Sequence, residues 1–482
     1  MKKSFFLISF VLLALCFLPA LCLPFAHHDT VRFFGKFYTP ASSNPVERDP
    51  QYSIVYLLGR PLTAEIHQII YTHVSSLRDL GLVRWLTVSV IAICAGLLAN
   101  IYYSFGLSVL ESLSLSVAVF ILPGIQDAVI MLAVQNALAV LAVLWAYLIS
   151  CRSYKSGFER FFQGLTVFCL ILFSMFLYPQ CSFFIFVPAL VKYLTAPSQK
   201  LQTIQIEILR MALLFGLTAV FYYFFVKTFF SFNSARAGSY AFTIDLNFFY
   251  WKALSVFSEI LPMAFNFWNI HTITWLGLML MGLTLVLLRR RAILCFLIIL
   301  STVSFWLLIR SDLILHRIFF ATSALALTSF LIGMRNKYFI ICAMIAGMLG
   351  AHYLTYYNSL NYYMEGAYIK QRLMAHQKPF SRIHLILPDA NGKGYLNQPT
   401  VDDTFNARTM SYNFTTDGLN LLRAAMKEDG IPTSMKVYSC EDVQQKCVKQ
   451  NHKGYQLLVT HSQKGQPVYY SPNMVLIDMS QL

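Results

Sequence analysis

Long apolar runs, repeated along most of the chain, decide what it can fold into. They lie at residues 5–24, 84–103, 106–122, 128–150, 163–178, 181–195, 209–229, 272–288, 292–309, 317–334 and 338–354. A helix needs roughly 20 mostly apolar residues to cross the hydrocarbon core of a bilayer. Inside lipid no water bonds the backbone, so such runs form helices. About eleven spans predict an all-α polytopic membrane protein. Of 482 residues, 57% are hydrophobic and 12% charged, where a soluble chain carries about 25% charged residues. An ordinary soluble enzyme, a disordered chain and a collagen-like fibre are thereby excluded. The net charge of +15 comes with no zinc motif, RNA-binding signature or dense basic stripe. We therefore assign it to orienting loops and expect no nucleic-acid partner.

Two places depart from simple spans. The runs 163–178 and 181–195 abut at Tyr178-Pro179-Gln180, which suits a tight hairpin. The aromatic stretch 250–270 is broken by Lys252, Glu259 and Pro262 and reads as an interfacial helix.

Orientation follows from the short loops. Lys2 and Lys3, then Arg152, Lys155 and Arg160, then Lys200 and Arg210, then Arg289 to Arg291, then Arg335 and Lys337 alternate onto one side. The positive-inside rule makes that side the cytoplasm. The loops 25–83 and 230–271 and the tail from 356 then lie outside. The first run resembles a signal peptide, but its apolar core of about nineteen residues exceeds the usual 7–15. We read it as a retained anchor.

The chain thus divides into a transmembrane part, 1–355, and a tail, 356–482, of different composition. In the tail, 383–387, 436–438, 456–459 and 474–477 read as strands, and Thr416 to Asp429 as a helix stopped by Gly430 and Pro432. That predicts a small C-terminal α+β extracytoplasmic domain. Most of the ten cysteines lie in apolar runs, where a thiol acts as a small hydrophobe. Cys440 and Cys447 stand in the polar tail and read as a short-loop disulfide, which implies an oxidising compartment; two free thiols are the alternative. Asn413-Phe414-Thr415 fits a glycosylation sequon, and we build nothing on it.

Ionisable groups are sparse inside the spans. Glu111 stands within one and reads as an interhelical hydrogen-bonding group; Asp127 is at the outer end of another, where a helix N-terminus favours acids. The polar groups concentrate in outer loops. The first loop opens with His27-His28-Asp29-Thr30-Val31-Arg32, continues through Glu47-Arg48-Asp49, and reaches Gly59-Arg60-Pro61-Leu62. A later one reads Arg310-Ser311-Asp312, before His316-Arg317. A carboxylate just outside a span can take a proton from a hydroxyl nucleophile. Arginines beside it can hold a phosphate leaving group bidentately. Charges that merely sit in interfacial water and orient the helix are the simpler alternative.

These motifs carry a resemblance. An acid after the first span with Arg three residues on, then the Gly-Arg-Pro-Leu turn, resembles the Gtr type II glucosyltransferases, GT-C-type membrane enzymes that decorate bacterial O-antigen. Leu122-Pro123-Gly124-Ile125-Gln126, Tyr178-Pro179-Gln180 with the following Ser-Phe-Phe, and Arg317 opening a late span are similar to further family turns. The resemblance covers most of the membrane part and little of the tail. It implies inverting transfer of a monosaccharide from a polyprenyl-phosphate donor to a surface-glycan hydroxyl, such as lipopolysaccharide. The reaction would take place on the periplasmic side of the bacterial inner membrane. A small flippase and a polyprenyl-phosphate glycosyltransferase would supply the donor.

Asp29 would be the catalytic carboxylate. Where the family has two adjacent acids, this chain has His28-Asp29. Arg32 and Arg60, with Arg310 and Arg317, would bind the donor phosphate. His28, Glu47, Asp49 and Asp127 would serve the acceptor or assist. GT-C chemistry often uses a divalent metal, but no dedicated metal cage is visible and no cofactor is expected. Membrane lipid completes the expected partners. The rival readings are a lipid or polysaccharide transporter, a polysaccharide polymerase or ligase, and a non-catalytic membrane scaffold.

Overall fold

A computed structural model describes residues 2–25, 55, 60–74, 77–152, 156–229, 246–256, 260, 274–308, 319–334 and 336–374, and the strands 382–386, 436–440, 468–471 and 474–478. The first helices in chain order are α1 (Lys3–Cys22), α2 (Pro61–His73), α3 (Leu77–Ser104), α4 (Val109–Phe120), α5 (Pro123–Ile130), α6 (Val134–Ser150) and α7 (Gly157–Leu177). A short α8 (Pro179–Ser182) and a 3-10 turn (Phe183–Ile185) lead into α9 (Phe186–Thr195). Then come α10 (Leu201–Phe229), α11 (Leu246–Ser255), α12 (Thr274–Leu288), α13 (Ala292–Leu308), α14 (Phe320–Gly333) and α15 (Lys337–Met374).

Among the described residues, five helices are long and apolar enough to cross a membrane: α1, the Arg78–Ser104 part of α3, α7, Ser198–Phe229 and the Lys337–Leu360 part of α15. A sixth span results if α4 and α5, which meet at a 61° bend, count together. Val134–Ser150, Ala292–Val303 and Phe320–Gly333 are shorter apolar helices. By length and composition this is a helical, membrane-embedded protein. Each apolar run of the sequence contains helix, but not each contains one straight span.

Three local features account for the differences. The run 106–122 starts its helix at Val109, because Ser108 and Glu111 form a capping box: Glu111 N donates to Ser108 Oγ at 3.3 Å and Ser108 N to Glu111 Oε2 at 2.9 Å. Glu111 is therefore a helix-start group, not the interhelical one that its position in the run predicts. Pro123 opens α5 after the bend, since a proline has no amide hydrogen to continue a ladder. Leu132, with a φ of 61°, separates α5 from α6 inside the run 128–150. The run 181–195 is likewise divided, into α8, the 3-10 turn and α9.

The chain forms two compact units. One comprises Met1–Leu18, Ala41–Gln68 and Arg84–Thr355. Its centre is α14, buried on all sides except at Ile332, as a helix apolar around its whole circumference should be. The helices α4, α9, α12 and α13 pack on it. At its start Phe320 stacks on Phe184, with centroids 5.2 Å apart and planes 8° apart, and Phe120 touches both. Each such aromatic pair adds about 0.5–1.5 kcal/mol beyond the area it buries. Hydroxyls tie helices where lipid offers no partner: Ser116 Oγ donates to Ala95 O at 2.6 Å, and Thr302 and Thr322 share a bond of 2.8 Å.

The basic loops make specific contacts. Lys2 N donates to Asn100 Oδ1 at 2.6 Å, and its ammonium lies 4.1 Å from the Tyr103 ring centre. Arg291 donates to the carbonyls of Tyr193 at 3.1 Å, of Leu194, and of Ala196 at 2.7 Å, which satisfies the end of α9. Each pair joins segments that the positive-inside rule puts on the same side.

The other unit comprises Pro19–Pro40, Ile69–Val83 and Tyr356–Leu482. Within it α15 runs on to Met374. This 38-residue helix is roughly 57 Å long at 1.5 Å per residue, and so outlasts the run 338–354. Four strands follow: β1 (Arg382–Ile386), β2 (Lys436–Cys440), β3 (Val468–Ser471) and β4 (Met474–Asp478). They form one sheet in the order β2-β1-β4-β3. β1 pairs in parallel with β2 and β4, while β3 is antiparallel to β4, with Ser471 opposite Met474. Three of these strands lie where the sequence puts them. The fourth, β3, was not expected. The expected strand 456–459 and helix 416–429 lie outside the described residues.

Candidate functional site

Within the motif Gly59-Arg60-Pro61-Leu62, the described residues begin at Arg60, which leads directly into α2. Pro61 takes the first helical position, where a missing amide hydrogen costs nothing. Arg60 accepts the first helical bond, from Ala64 N at 3.1 Å, and its own N–H donates to Val55 O at 3.3 Å. Arg60, Thr63 and His67 follow one another at spacings of three and four, so they share a face of the helix. This polar face is the buried one. Thr63 is 3% and His67 8% exposed, whereas Ile69 is 61% exposed.

Each residue of that face has a defined surrounding. Thr63 Oγ1 donates to the carbonyl of Leu177, the last residue of α7. The Arg60 guanidinium lies 4.3 Å from the ring centre of Tyr178, the next residue. A cation over a tyrosine face contributes about 0.5–1 kcal/mol when exposed and about 2 when desolvated. The His67 ring lies beside the side chain of Gln135, in the first turn of α6. Burial pushes the His67 pKa down to about 4; the neighbouring Gln135 amide opposes this, and the Arg60 charge adds to it. The ring is therefore neutral near pH 7 and adds no second charge beside Arg60.

The start of α6 is fixed on its other side by Cys94, whose thiol donates to Ala137 O at 3.5 Å. In α5, Gln126 Nε2 donates to Ile121 O at 2.8 Å and spans the bend. Thus α2, the Tyr178-Pro179-Gln180 turn, and the segment from Leu122 to the start of α6 are linked through named contacts. Among the described residues, several buried polar atoms in these elements have no hydrogen-bond partner: Arg60 Nε, Gln126 Oε1, Asn136 Oδ1 and Gln180 Oε1. A half-buried guanidinium with an unspent N–H, placed over a tyrosine ring, is suited to an anion with planar or tetrahedral oxygens.

Of the residues expected to act, Arg60 is at this site. Asp127 belongs to α5, but its side chain lies outside the described residues. So do His28, Asp29, Arg32, Glu47, Asp49, Arg310, Arg317 and Cys447. Cys440 ends β2, and its pairing lies outside them too. The helix that Arg317 was expected to open is described from Phe320, against Phe120 and Phe184.

Thr63, His67, Gln135 and Asn136 were not anticipated. The first two were legible as a polar stripe at spacings of three and four beginning at Arg60. Gln135 and Asn136 sit inside an apolar run and gave no such signal. Among the described residues, no group of three His, Cys, Asp or Glu side chains could hold a metal ion. Comparison with protein-family models, curated proteins and solved structures gave no match.

Proposed function

We propose that the chain is a GT-C-like, inverting glycosyltransferase of the bacterial inner membrane. Its donor is a polyprenyl-phosphate monosaccharide and its acceptor a surface-glycan hydroxyl. The amino terminus is cytoplasmic, about eleven spans cross the bilayer, and the sheet-containing tail forms an extracytoplasmic domain. The observation that carries this reading is the Arg60 guanidinium: it rests on Tyr178, its Nε has no partner among the described residues, and a neutral histidine sits nearby. It lies in one of the two sequence motifs that the resemblance assigns to phosphate binding in the first loop.

In the reaction the acceptor oxygen attacks the anomeric carbon and the bond from that carbon to the phosphate oxygen breaks. Polyprenyl phosphate leaves with the bonding electron pair. Asp29 takes the proton of the attacking hydroxyl. Arg60 and Arg32 meet the charge that grows on the departing phosphate. Sparse intramembrane charge suits this better than transport, which places ionisable groups along a path.

The test is release of polyprenyl phosphate by the purified full chain, in lipid nanodiscs, from radiolabelled polyprenyl-phosphate glucose and a glycan acceptor. The reading predicts transfer that Arg60→Gln abolishes. No consumption of any polyprenyl-phosphate sugar would remove the enzyme reading and leave the scaffold.

A further inference from the structure

We propose that His352 is a latch for α1: it supplies the hydrogen bond that Pro19 takes out of that helix, and so holds a hinge in α1 closed against α15. Pro19 lies inside α1. Having no N–H, it leaves the carbonyl four residues earlier, that of Leu15, without its helical donor, and its ring crowds that same carbonyl. His352 Nδ1 lies 3.0 Å from Leu15 O, across 337 residues of sequence. A carbonyl oxygen only accepts, so the proton at this contact is on Nδ1 and the imidazole donates it. The interior carbonyl of α1 that His352 reaches is thus the one that the proline orphans.

The surroundings give this bond its weight. Leu15 and His352 both lie in helices long and apolar enough to span, Lys3–Cys22 and Lys337–Leu360. In lipid an unbonded carbonyl finds no water, and a proline is tolerated where a neighbouring helix satisfies the group it frees. An ionisable side chain in a span is likewise costly without a partner, and His352 is exposed on the surface of the chain. One bond meets both needs. The depths agree as well. Leu15 is about 18 Å along α1 from Lys3, and His352 about 22 Å along α15 from Lys337, at 1.5 Å per residue; the short-loop charges put both lysines on one side. Prolines are where helices bend sharply. Here the lost backbone bond is replaced by a side chain of another helix, which lets go by a change of rotamer. The bond also stands close to where α1 and α15 leave the first compact unit, after Leu18 and after Thr355. None of this depends on the transferase reading.

The experiment is hydrogen–deuterium exchange of the full chain in nanodiscs, read at the amides just after the proline, Ala20 to Cys22. His352→Leu removes the donor, and exchange there should rise about three- to tenfold. The deciding comparison is the same change in a Pro19→Ala chain, where residue 19 again has an N–H for the Leu15 carbonyl. There His352→Leu should alter the exchange by less than about twofold, because the two positions are coupled through one acceptor. An equal rise in both backgrounds would overturn the latch, since His352 would then serve something other than the orphaned carbonyl. Unchanged exchange in the native background would overturn it too. If His352→Leu alone fails to fold, recovery of the folded protein by adding Pro19→Ala is the supporting result, and failure in both backgrounds the contrary one.

Discussion

A lysine at position 60 would keep the charge but lose the planar fork and the stacking on Tyr178. Arg60→Lys should therefore retain membrane insertion and lower donor turnover at least tenfold, read as polyprenyl phosphate released per protein. Asp29→Asn removes a proton acceptor that contributes roughly 10²–10⁴-fold to rate, so transfer should fall by that order at normal protein level. Glu47→Gln and Asp49→Asn are the comparison, with smaller effects. If Asp49→Asn abolished transfer and Asp29→Asn did not, the carboxylate would be reassigned. His67 makes a separate prediction. Its folded pKa of about 4 lies below the unfolded value of about 6.5. The unfolded chain thus binds the extra proton between those values. The stabilisation from the neutral ring is complete above about pH 6.5 and is lost as pH falls towards 4. Thermal unfolding in nanodiscs should shift down between pH 7.5 and pH 5, and by less in His67→Gln. The same shift in both proteins would contradict the buried neutral histidine.

Helix α1 approaches α3 closely at Gly96, where an added Cβ would lie 2.6 Å from Phe6 Cδ1 and 2.9 Å from Phe6 Cα. The second contact is backbone and cannot rotate away. Gly96→Ala should thus force the two helices apart, at a cost of about 1–3 kcal/mol typical of overpacking, seen as a lower unfolding midpoint. Gly216→Ala is the control, since a Cβ there meets nothing within 4 Å. An unchanged midpoint for Gly96→Ala would refute the close crossing. The elements show which features a sequence reveals. Apolar length predicts that a helix exists, and each run does contain one. It does not predict breaks such as Leu132 or the 3-10 turn at 183–185, because residues on both sides are equally apolar and no period marks the interruption. The capping box at Ser108 and Glu111 was visible as a motif, yet a carboxylate inside an apolar run drew the other interpretation. β3 was missed because turn residues, Gly465-Gln466-Pro467 and Ser471-Pro472-Asn473, frame Val468-Tyr469-Tyr470 on both sides. The stripe Arg60, Thr63, His67 had a readable period, but its inward direction depends on the turn at Tyr178, remote in sequence.

The proposed orientation puts the amino terminus in the cytoplasm and the sheet-bearing tail outside. A reporter fused after Leu482 should be active only in the external compartment, and non-reducing mass mapping should link Cys440 to Cys447. A cytoplasm-active fusion would contradict the external tail and the expected span count. The central claim is that this membrane protein adds one sugar to a surface glycan. Its most direct test is mass spectrometry of the surface glycan from cells that lack the gene, cells that carry it, and deletion cells complemented with Arg60→Gln. The account predicts that the deletion loses a single hexose-sized unit, that the wild-type gene restores it, and that Arg60→Gln protein, present at normal level, does not. A glycan of unchanged mass in the deletion strain would contradict it.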